Sequence, residues 1–304
     1  MHVLAVDGGG TRTTIALADG DGRELVRRTG PAGIVDPRWP LAAAEAVVGL
    51  ARSVLDAAGV VPPVEVLCAG LAGSGDASSR EIVRRGLISA GLARRVVVCS
   101  DGEIALEGAL MGGAGVLLVA GTGSIAWGRG EDGRVARCGG WGRIVGDEGS
   151  AYWLGREALR AVLRAADGRG EDTTLRSRVI GPGRVVAAAE AISGWTARAT
   201  KAQIAALARD VVEAAAEGDG VARRLLRDAA AALAEHATTL ARRLAPWSGA
   251  VPVVLHGGLA GESAFSTLVV DLLSRARGWD GGALEIRYPL TDPVTGAIRL
   301  ALRS

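Results

Sequence analysis

The run from residue 3 to residue 18, VLAVDGGGTRTTIALA, constrains the fold more than any other stretch. Residues 3–6 and 13–18 are apolar and strand-like, so residues 7–12 between them must close a tight hairpin. Glycines in that turn admit positive φ and let a ligand approach the main chain. Successive N–H groups of such a turn form an anion cradle, and a carboxylate beside it, Asp7, implies a metal ion bridging it to the anion. Nucleotide phosphate with magnesium fits this pairing. An ordinary glycine-rich hairpin fits the same residues, so the rest of the chain has to decide.

At 304 residues the chain is longer than one usual domain, and two domains with a cleft between them are expected. The boundary falls at residues 1–112 and 113–304, with a terminal helix at 294–303 free to pack back onto the first domain. The balance of 35 basic against 33 acidic residues gives no electrostatic reason for a polyanion, so no nucleic-acid partner is expected. There is no basic, apolar leader and no apolar run near ~20 residues, which points to a cytoplasmic protein without a membrane partner. Cys68, Cys99 and Cys138 are spaced too widely for CxxC chemistry, making disulfides and zinc unexpected. Lys201 is the only lysine. No P-loop lysine exists, and a nucleotide site would have to rest on hairpin amides and metal.

After the first hairpin, residues 23–28 add a strand and 40–58 a long amphipathic helix stopped by Gly59. Strands at 64–69 and 95–99 alternate with helices at 78–90 and 102–111. This order implies a mixed sheet covered by helices, with ligands outside the strand ends. Gly112, Gly113 and Gly115 form a hinge, and the pattern then restarts. Strands at 116–120 and 125–128 flank the turn Gly121-Thr122-Gly123-Ser124, and another strand follows at 134–138. The recurrence suggests two related lobes, each with a phosphate-facing hairpin. Helices are expected at 150–166, 184–191, 201–217 and 221–244. A strand at 251–255, a turn at His256-Gly257-Gly258, a helix at 263–276, a strand at 284–288 and a helix at 294–302 complete the chain. Three glycine turns can meet one nucleotide.

These residues resemble the sugar kinase, Hsp70 and actin superfamily, and within it the N-acetylglucosamine kinase and BadF/BadG/BcrA/BcrD-type ATPase group. DGGGTRT at 7–13 looks like the first phosphate motif, SDG at 100–102 the acidic motif and GTGS at 121–124 the second phosphate motif. VVLHGGLA at 253–260 is similar to the adenosine motif, and DPVTGAIRLAL at 292–302 to the closing helix. The run CGGWGRIVGDEGSAYW at 138–153 is similar to the N-acetylglucosamine kinase branch over its whole length. The resemblance implies an α/β fold of two actin-like, ribonuclease H-like lobes, each a mixed sheet flanked by helices, with an interlobe cleft. It implies ATP and Mg²⁺ as cofactors and a cytoplasmic homodimer. It further implies that Asp101 is the general base and that Asp7 holds magnesium. Gly9, Gly10, Thr11, Arg12, Gly121, Thr122, Gly123, Gly257 and Gly258 would hold the nucleotide, and Gly73, Ser74, Asp101, Gly140, Asp147 and Ala151 the amino sugar.

Chemistry independently supports Asp101, which ends a strand at the ligand edge and could accept a proton from an attacking hydroxyl. Ser100-Asp101-Gly102-Glu103 also reads as a capping box. Asp147 could merely cap the helix that follows it. The glycines at 139, 140, 142, 146 and 149 argue instead for a loop with open main-chain groups that grasp sugar hydroxyls rather than pack. Trp141 could stack on a sugar face or wedge the loop into the core, the wedge being the favoured expectation. No chemistry is expected of Cys138. His2, His236 and His256 are too dispersed for a metal site; His236 reads as structural, and His256 borders the adenosine turn.

Two family sugar contacts are replaced, by the segment Gly30-Pro31-Ala32-Gly33-Ile34 and by Ile125, with Ser124 or the Asp36–Arg38 neighbourhood as substitutes. The expected activity is transfer of the γ-phosphoryl group to the 6-hydroxyl of an amino sugar, N-acetylglucosamine first, with glucosamine and N-acetylmuramic acid also open. Two alternatives stand beside it. One is an ATPase activator of a 2-hydroxyacyl-CoA dehydratase or benzoyl-CoA reductase, which needs cysteines for a shared iron–sulfur cluster. The other is a non-catalytic regulator that binds ATP and sugar.

Overall fold

The computed structural model describes residues 1–276 and 282–304. The chain divides into two compact units, Met1–Gly113 with Pro289–Ser304, and Ala114–Tyr288.

The first unit begins with β1 (His2–Gly8), β2 (Arg12–Asp19), β3 (Glu24–Pro31) and α1 (Pro40–Ala58). It continues with β4 (Val64–Leu71), α2 (Ala77–Ser89), β5 (Ala93–Ser100) and α3 (Asp101–Leu110). The sheet order is β3-β2-β1-β4-β5. β1 runs antiparallel to β2 and parallel to β4. β1 and β4 read as continuous apolar runs because both faces of the central strands are covered, and Val3 to Val6 are wholly buried. The edge strand β3 carries exposed charge, with Arg28 and Arg27 facing out, which discourages pairing with another chain. Pro40 sits in the first turn of α1 and Gly59, at φ 64°, ends it in the left-handed region, the start and stop chemistry a helix favours.

The second unit holds β6 (Gly115–Ala120), β7 (Ser124–Arg129), β8 (Val135–Gly139), α4 (Ala151–Ala166), α5 (Leu175–Val179) and α6 (Ala191–Arg198). There follow α7 (Lys201–Ala206), α8 (Ala208–Ala216), α9 (Gly220–Arg243), β9 (Val251–His256), α10 (Ser263–Arg275) and β10 (Leu284–Arg287). Its sheet order is β10-β9-β6-β7-β8. β6 pairs antiparallel with β7 and parallel with β9. Strand for strand this is the arrangement of the first unit, so the fold repeats as the two hairpins suggest.

Two helix expectations fail. Residues 184–191 are not a helix: Gly181 and Gly183 take positive φ around Pro182, and Val186 turns back to bridge Ile180. The helix expected over 201–217 is broken at Leu207 into α7 and α8.

The last helix, α11 (Pro293–Arg303), packs in the first unit against α3 and β1. The α3–α11 crossing is close enough to exclude side chains. A Cβ on Gly296 would lie 2.0 Å from the Ile104 carbonyl oxygen, and one on Gly108 would lie 2.3 Å from that of Asp292. The contact sets the start of α11, capped by Asp292, against residues 104–108 of α3, whose first residue is Asp101.

Candidate active site

In the first unit the β1–β2 turn is tied down on both flanks. Gly9 N–H donates to Arg12 O at 2.9 Å, Ala72 N–H to Gly8 O at 2.8 Å, and Gly33 N–H to Gly9 O at 3.3 Å. The segment after β3 therefore lies on the hairpin, with Gly33 against the buried Thr13 hydroxyl. Gly10, Thr11 and Arg12 remain exposed at the tip. Gly73 must be glycine, since at φ 79° its Cβ would sit 2.4 Å from Val35 O. Ser74 is buried and donates its hydroxyl to Cys99 O at 3.1 Å. The Asp36–Arg38 pair is a local, exposed turn contact of 2.6 Å.

Asp7 stands at the end of β1. Burial, then the negative charge of Asp101, push its carboxyl up to about 6, against the pull of Arg12. Burial also raises Asp101, opposed by the Gly102 N–H, which donates to Asp101 Oδ1 at 2.9 Å. The capping box at the start of α3 is real, but its members are Ser100 and Glu103. Asp101 is the first helical residue rather than the cap, so capping does not consume its carboxylate.

Asp292, which sequence reasoning passed over, caps α11 by accepting the Thr295 N–H at 2.8 Å and also pairs with Arg27. Burial works against its ionisation, yet Arg27 and Thr295 hold its carboxyl below the usual range. It adds negative charge around Asp7. Its position as N-cap, directly before Pro293, was the available signal.

In the second unit the corresponding turn is pinned by different donors. Leu259 and Ala260 N–H groups donate to Ala120 O at 3.0 and 3.1 Å, and Ala151 N–H to Gly121 O at 2.9 Å. Gly257 lies so near that its Cβ would meet Ala120 O at 2.5 Å. Gly121, Thr122, Ala151 and Gly258 consequently line one cavity of about 670 Å³, closed by Ala202, Ala205 and Arg209 of α7 and α8. The size and the mixed lining, small apolar residues with Arg209, Asp210 and Glu262, suit a small organic ligand with polar groups. Its α7–α8 wall was missed because it comes from a segment without a motif.

The β8–α4 loop departs from expectation in two ways, at its glycines and at Trp141. Its glycines mostly pack: a Cβ on Gly139 would meet His236 at 2.8 Å, on Gly140 Ile125 at 2.4 Å, and on Gly149 the Ala229 carbonyl oxygen at 2.5 Å. Only Gly142 has open space around it among the loop's five. Asp147 is not a helix cap, because Ser150 caps α4 by accepting the Trp153 N–H at 3.1 Å. Asp147 instead lies buried at φ 61°, accepts the Ser124 N–H at 3.3 Å and pairs with Lys201 at 2.6 Å. Trp141 does not wedge into the core: it is 65% exposed, with the Arg137 guanidinium 4.2 Å above its ring. The Ser124 hydroxyl is engaged by Glu148 O at 2.6 Å.

His236 is half-buried, which lowers its pKa, and packs under Gly139 as a structural residue. Cys68 and Cys99 are buried free thiols on adjacent strands, and a hydrogen bond from Cys68 together with burial pushes the Cys99 thiol far up. Cys138 lies in the other unit, its thiol also raised by burial. Raised thiols such as Cys99 and Cys138 lack the lowered pKa of a reactive thiolate.

A family model described as the BadF/BadG/BcrA/BcrD ATPase family matches residues 4–301. An N-acetylmuramic acid/N-acetylglucosamine kinase of Clostridium acetobutylicum is 33% identical over 235 residues, covering 75% of this chain and 76% of the relative. The N-acetyl-D-glucosamine kinase of Dictyostelium discoideum is 29% identical over 99% of this chain and 98% of its own. Among solved structures, a candidate N-acetylglucosamine kinase from Chromobacterium violaceum superposes with a TM-score of 0.75 at 31% identity, covering 99% of this chain and 98% of that one.

Proposed function

The chain belongs to the BadF/BadG/BcrA/BcrD ATPase family, and from that premise we propose that it is an ATP-dependent amino sugar kinase that phosphorylates the 6-hydroxyl of N-acetylglucosamine. The observation that carries the reading is Asp101, a partly buried carboxylate at the sheet's ligand edge that capping leaves available. As the sugar oxygen attacks the γ-phosphorus, a new O–P bond forms, the bond to the β,γ-bridging oxygen breaks, and ADP leaves with that electron pair. Asp101 accepts the hydroxyl proton. Burial, by raising its proton affinity, makes it a better acceptor than a solvated carboxylate.

A divalent cation fits beside Asp7. Burial first, and then the negative charge of Asp101, raise the Asp7 pKa to about 6, and a cation would relieve both. Magnesium keeps most of its waters and needs only one or two protein carboxylates besides phosphate, so Asp7 suffices to hold it through water. When bound it neutralises charge developing on the phosphate oxygens.

Gly9, Gly10, Thr11 and Arg12 present the first phosphate-facing turn, and Gly121, Thr122 and Gly123 the second. The cavity at Gly121, Thr122 and Gly258 takes adenosine, with Gly257 bringing main chain close. Gly73, Ser74, Gly140 and Asp147 serve the sugar, the first two orienting it from beside Asp101, whereas Ala151, expected there, lines the cavity given to adenosine. The names of the relatives from C. acetobutylicum and D. discoideum support both the reaction and the sugar. The reading places a homodimer in the cytoplasm. Among the described residues no helix is long and apolar enough to cross a membrane.

A coupled ADP-release assay across N-acetylglucosamine, glucosamine, N-acetylmannosamine, N-acetylmuramic acid and glucose tests the proposal. Release should depend on sugar and be fastest with N-acetylglucosamine. ADP release indifferent to every sugar would contradict a kinase and favour an ATPase.

A further inference from the structure

The chain contains one lysine, and the fold brings it to the β6–β7 turn. Lys201 opens α7, where Thr200 and Gln203 form a reciprocal capping box. Its ammonium lies 2.6 Å from Asp147 Oδ2 and 2.9 Å from the point where a Cβ on Gly123 would stand. Glycine at 123 is thus what lets the ammonium rest against the turn. Asp147 is itself immobilised, buried and bonded through Oδ1 to the Ser124 N–H. The Lys201 side chain keeps 36% of its surface exposed.

An ammonium has three donors, and Asp147 holds it in place by charge. Those donors can serve a ligand on the open side. The neighbouring groups indicate which ligand. Ala202, Ala205 and Ala206 of the same helix line the cavity that Gly121 and Thr122 also line. Lys201 itself stands at the edge of that lining, against Gly123 of the same turn, so a nucleoside in the cavity would direct its phosphates along the turn toward the ammonium. A chain with no other lysine has given this position the compact, strongly hydrated cation that phosphate oxygens accept as a point charge.

We propose that Lys201 is a phosphate-binding residue, prealigned by Asp147, that grips the polyphosphate of the nucleotide at the Gly121-Thr122-Gly123 turn. It deepens the reading of this cavity as a nucleotide site and rests on it. It also amends the expectation that amides and metal alone must hold the phosphates. A purely structural role for the ion pair, bracing the β8–α4 loop, makes a different prediction, because bracing does not count phosphates.

The test is calorimetric binding of Mg·ATP, AMP and adenosine to the full chain and to Lys201→Met and Lys201→Arg. The methionine variant should lose about 10- to 100-fold in ATP affinity, the range of a charge-assisted hydrogen bond, with AMP and adenosine unchanged within about twofold. The arginine variant should recover most of the loss. If Lys201→Met folds poorly because Asp147 is left unpaired, the double variant Lys201→Met/Asp147→Asn removes both charges and should show the same selective loss for ATP. Unchanged ATP affinity, or an equal fall for all three ligands, overturns the assignment while leaving the kinase reading intact. Failure of the unmodified protein to bind any of the three overturns both.

Discussion

In the first unit the Ala72 N–H donates to Gly8 O at the end of β1, whereas in the second the Leu259 and Ala260 N–H groups donate to Ala120 O at the end of β6. Each hairpin is thereby held by the turn that follows the parallel neighbour strand, β4 or β9, in sheets of the same order. The chemistry placed on this shared frame differs. The first turn stands among carboxylates, Asp7 and Asp101 with Asp292 near, balanced by Arg12 and Arg27. The second stands beside an ammonium, Lys201, and an alanine- and glycine-lined cavity. Under the proposed function, the repeated scaffold carries metal and proton chemistry beside one phosphate-facing turn and the adenosine cavity beside the other.

The sharpest way to break that comparison is Asp101→Asn, which removes the proton acceptor while preserving shape. Turnover should fall by about 10²- to 10⁴-fold, the usual worth of a general base, with the dissociation constant for ATP within about twofold by calorimetry. A variant retaining turnover within threefold would show that the first unit does not supply the base.

The two turns can next be set against each other with alanine. At Gly123 a Cβ would lie 2.7 Å from Asp147 Oδ1 and 2.9 Å from Lys201 Nζ, whereas at Gly9 the nearest atom is Arg12 O at 3.3 Å. Gly123→Ala should weaken ATP binding by roughly tenfold or more, equivalent to ~1.4 kcal/mol, and Gly9→Ala by less than about threefold. Equal effects would mean that the second turn has no special closeness.

A stability measurement isolates the acidic cluster. Asp7 titrates near 6 in the folded chain against an ordinary 3.8, so folding is penalised once the unfolded chain can ionise and the folded chain resists. The penalty is absent below about pH 3.8, grows between there and pH 6, and is complete above. Without magnesium, Asp7→Asn should exceed the unmodified protein in stability by about 3 kcal/mol at pH 7, shrinking toward zero by pH 3.5. A constant difference across that range would refute the burial and Asp101 argument.

The smallest effect is expected at Trp141. Exposed and touching Arg137, it should contribute only about 0.5–1 kcal/mol through the cation–π contact, so Trp141→Ala should leave the denaturation midpoint little changed. A loss of 3 kcal/mol or more, typical of a core aromatic, would restore the wedge.

How much of this was legible in the sequence follows from whether the determinants were local. The ends of α1 were readable because Pro40 and Gly59 act within one turn, and the repeat was readable because both hairpins state their glycines in sequence. Ser100 and Glu103 likewise announced their capping box. Residues 184–191 misled because their alanines favour helix while the turn at Gly181-Pro182-Gly183 and the Val186 bridge override that propensity. The loop glycines misled for another reason: their partners, His236 and Ala229, come from α9, and nothing nearby in sequence indicates a close approach. The pairing of Lys201 with Asp147 was invisible for the same cause, although the isolation of the lysine itself was on view. Asp292 was hidden because its charge reaches Asp7 only through the fold, which brings α11 back against α3 and β1.

Phosphoryl transfer to an amino sugar hydroxyl is read most directly from the position of phosphate in the product. The protein incubated with Mg·ATP and N-acetylglucosamine should yield a sugar whose phosphorus couples to the two protons on C6 in a phosphorus–proton correlation spectrum, with ADP formed in equal amount. Inorganic phosphate as the sole phosphorus product beside ADP, or phosphate on another sugar oxygen, would contradict it.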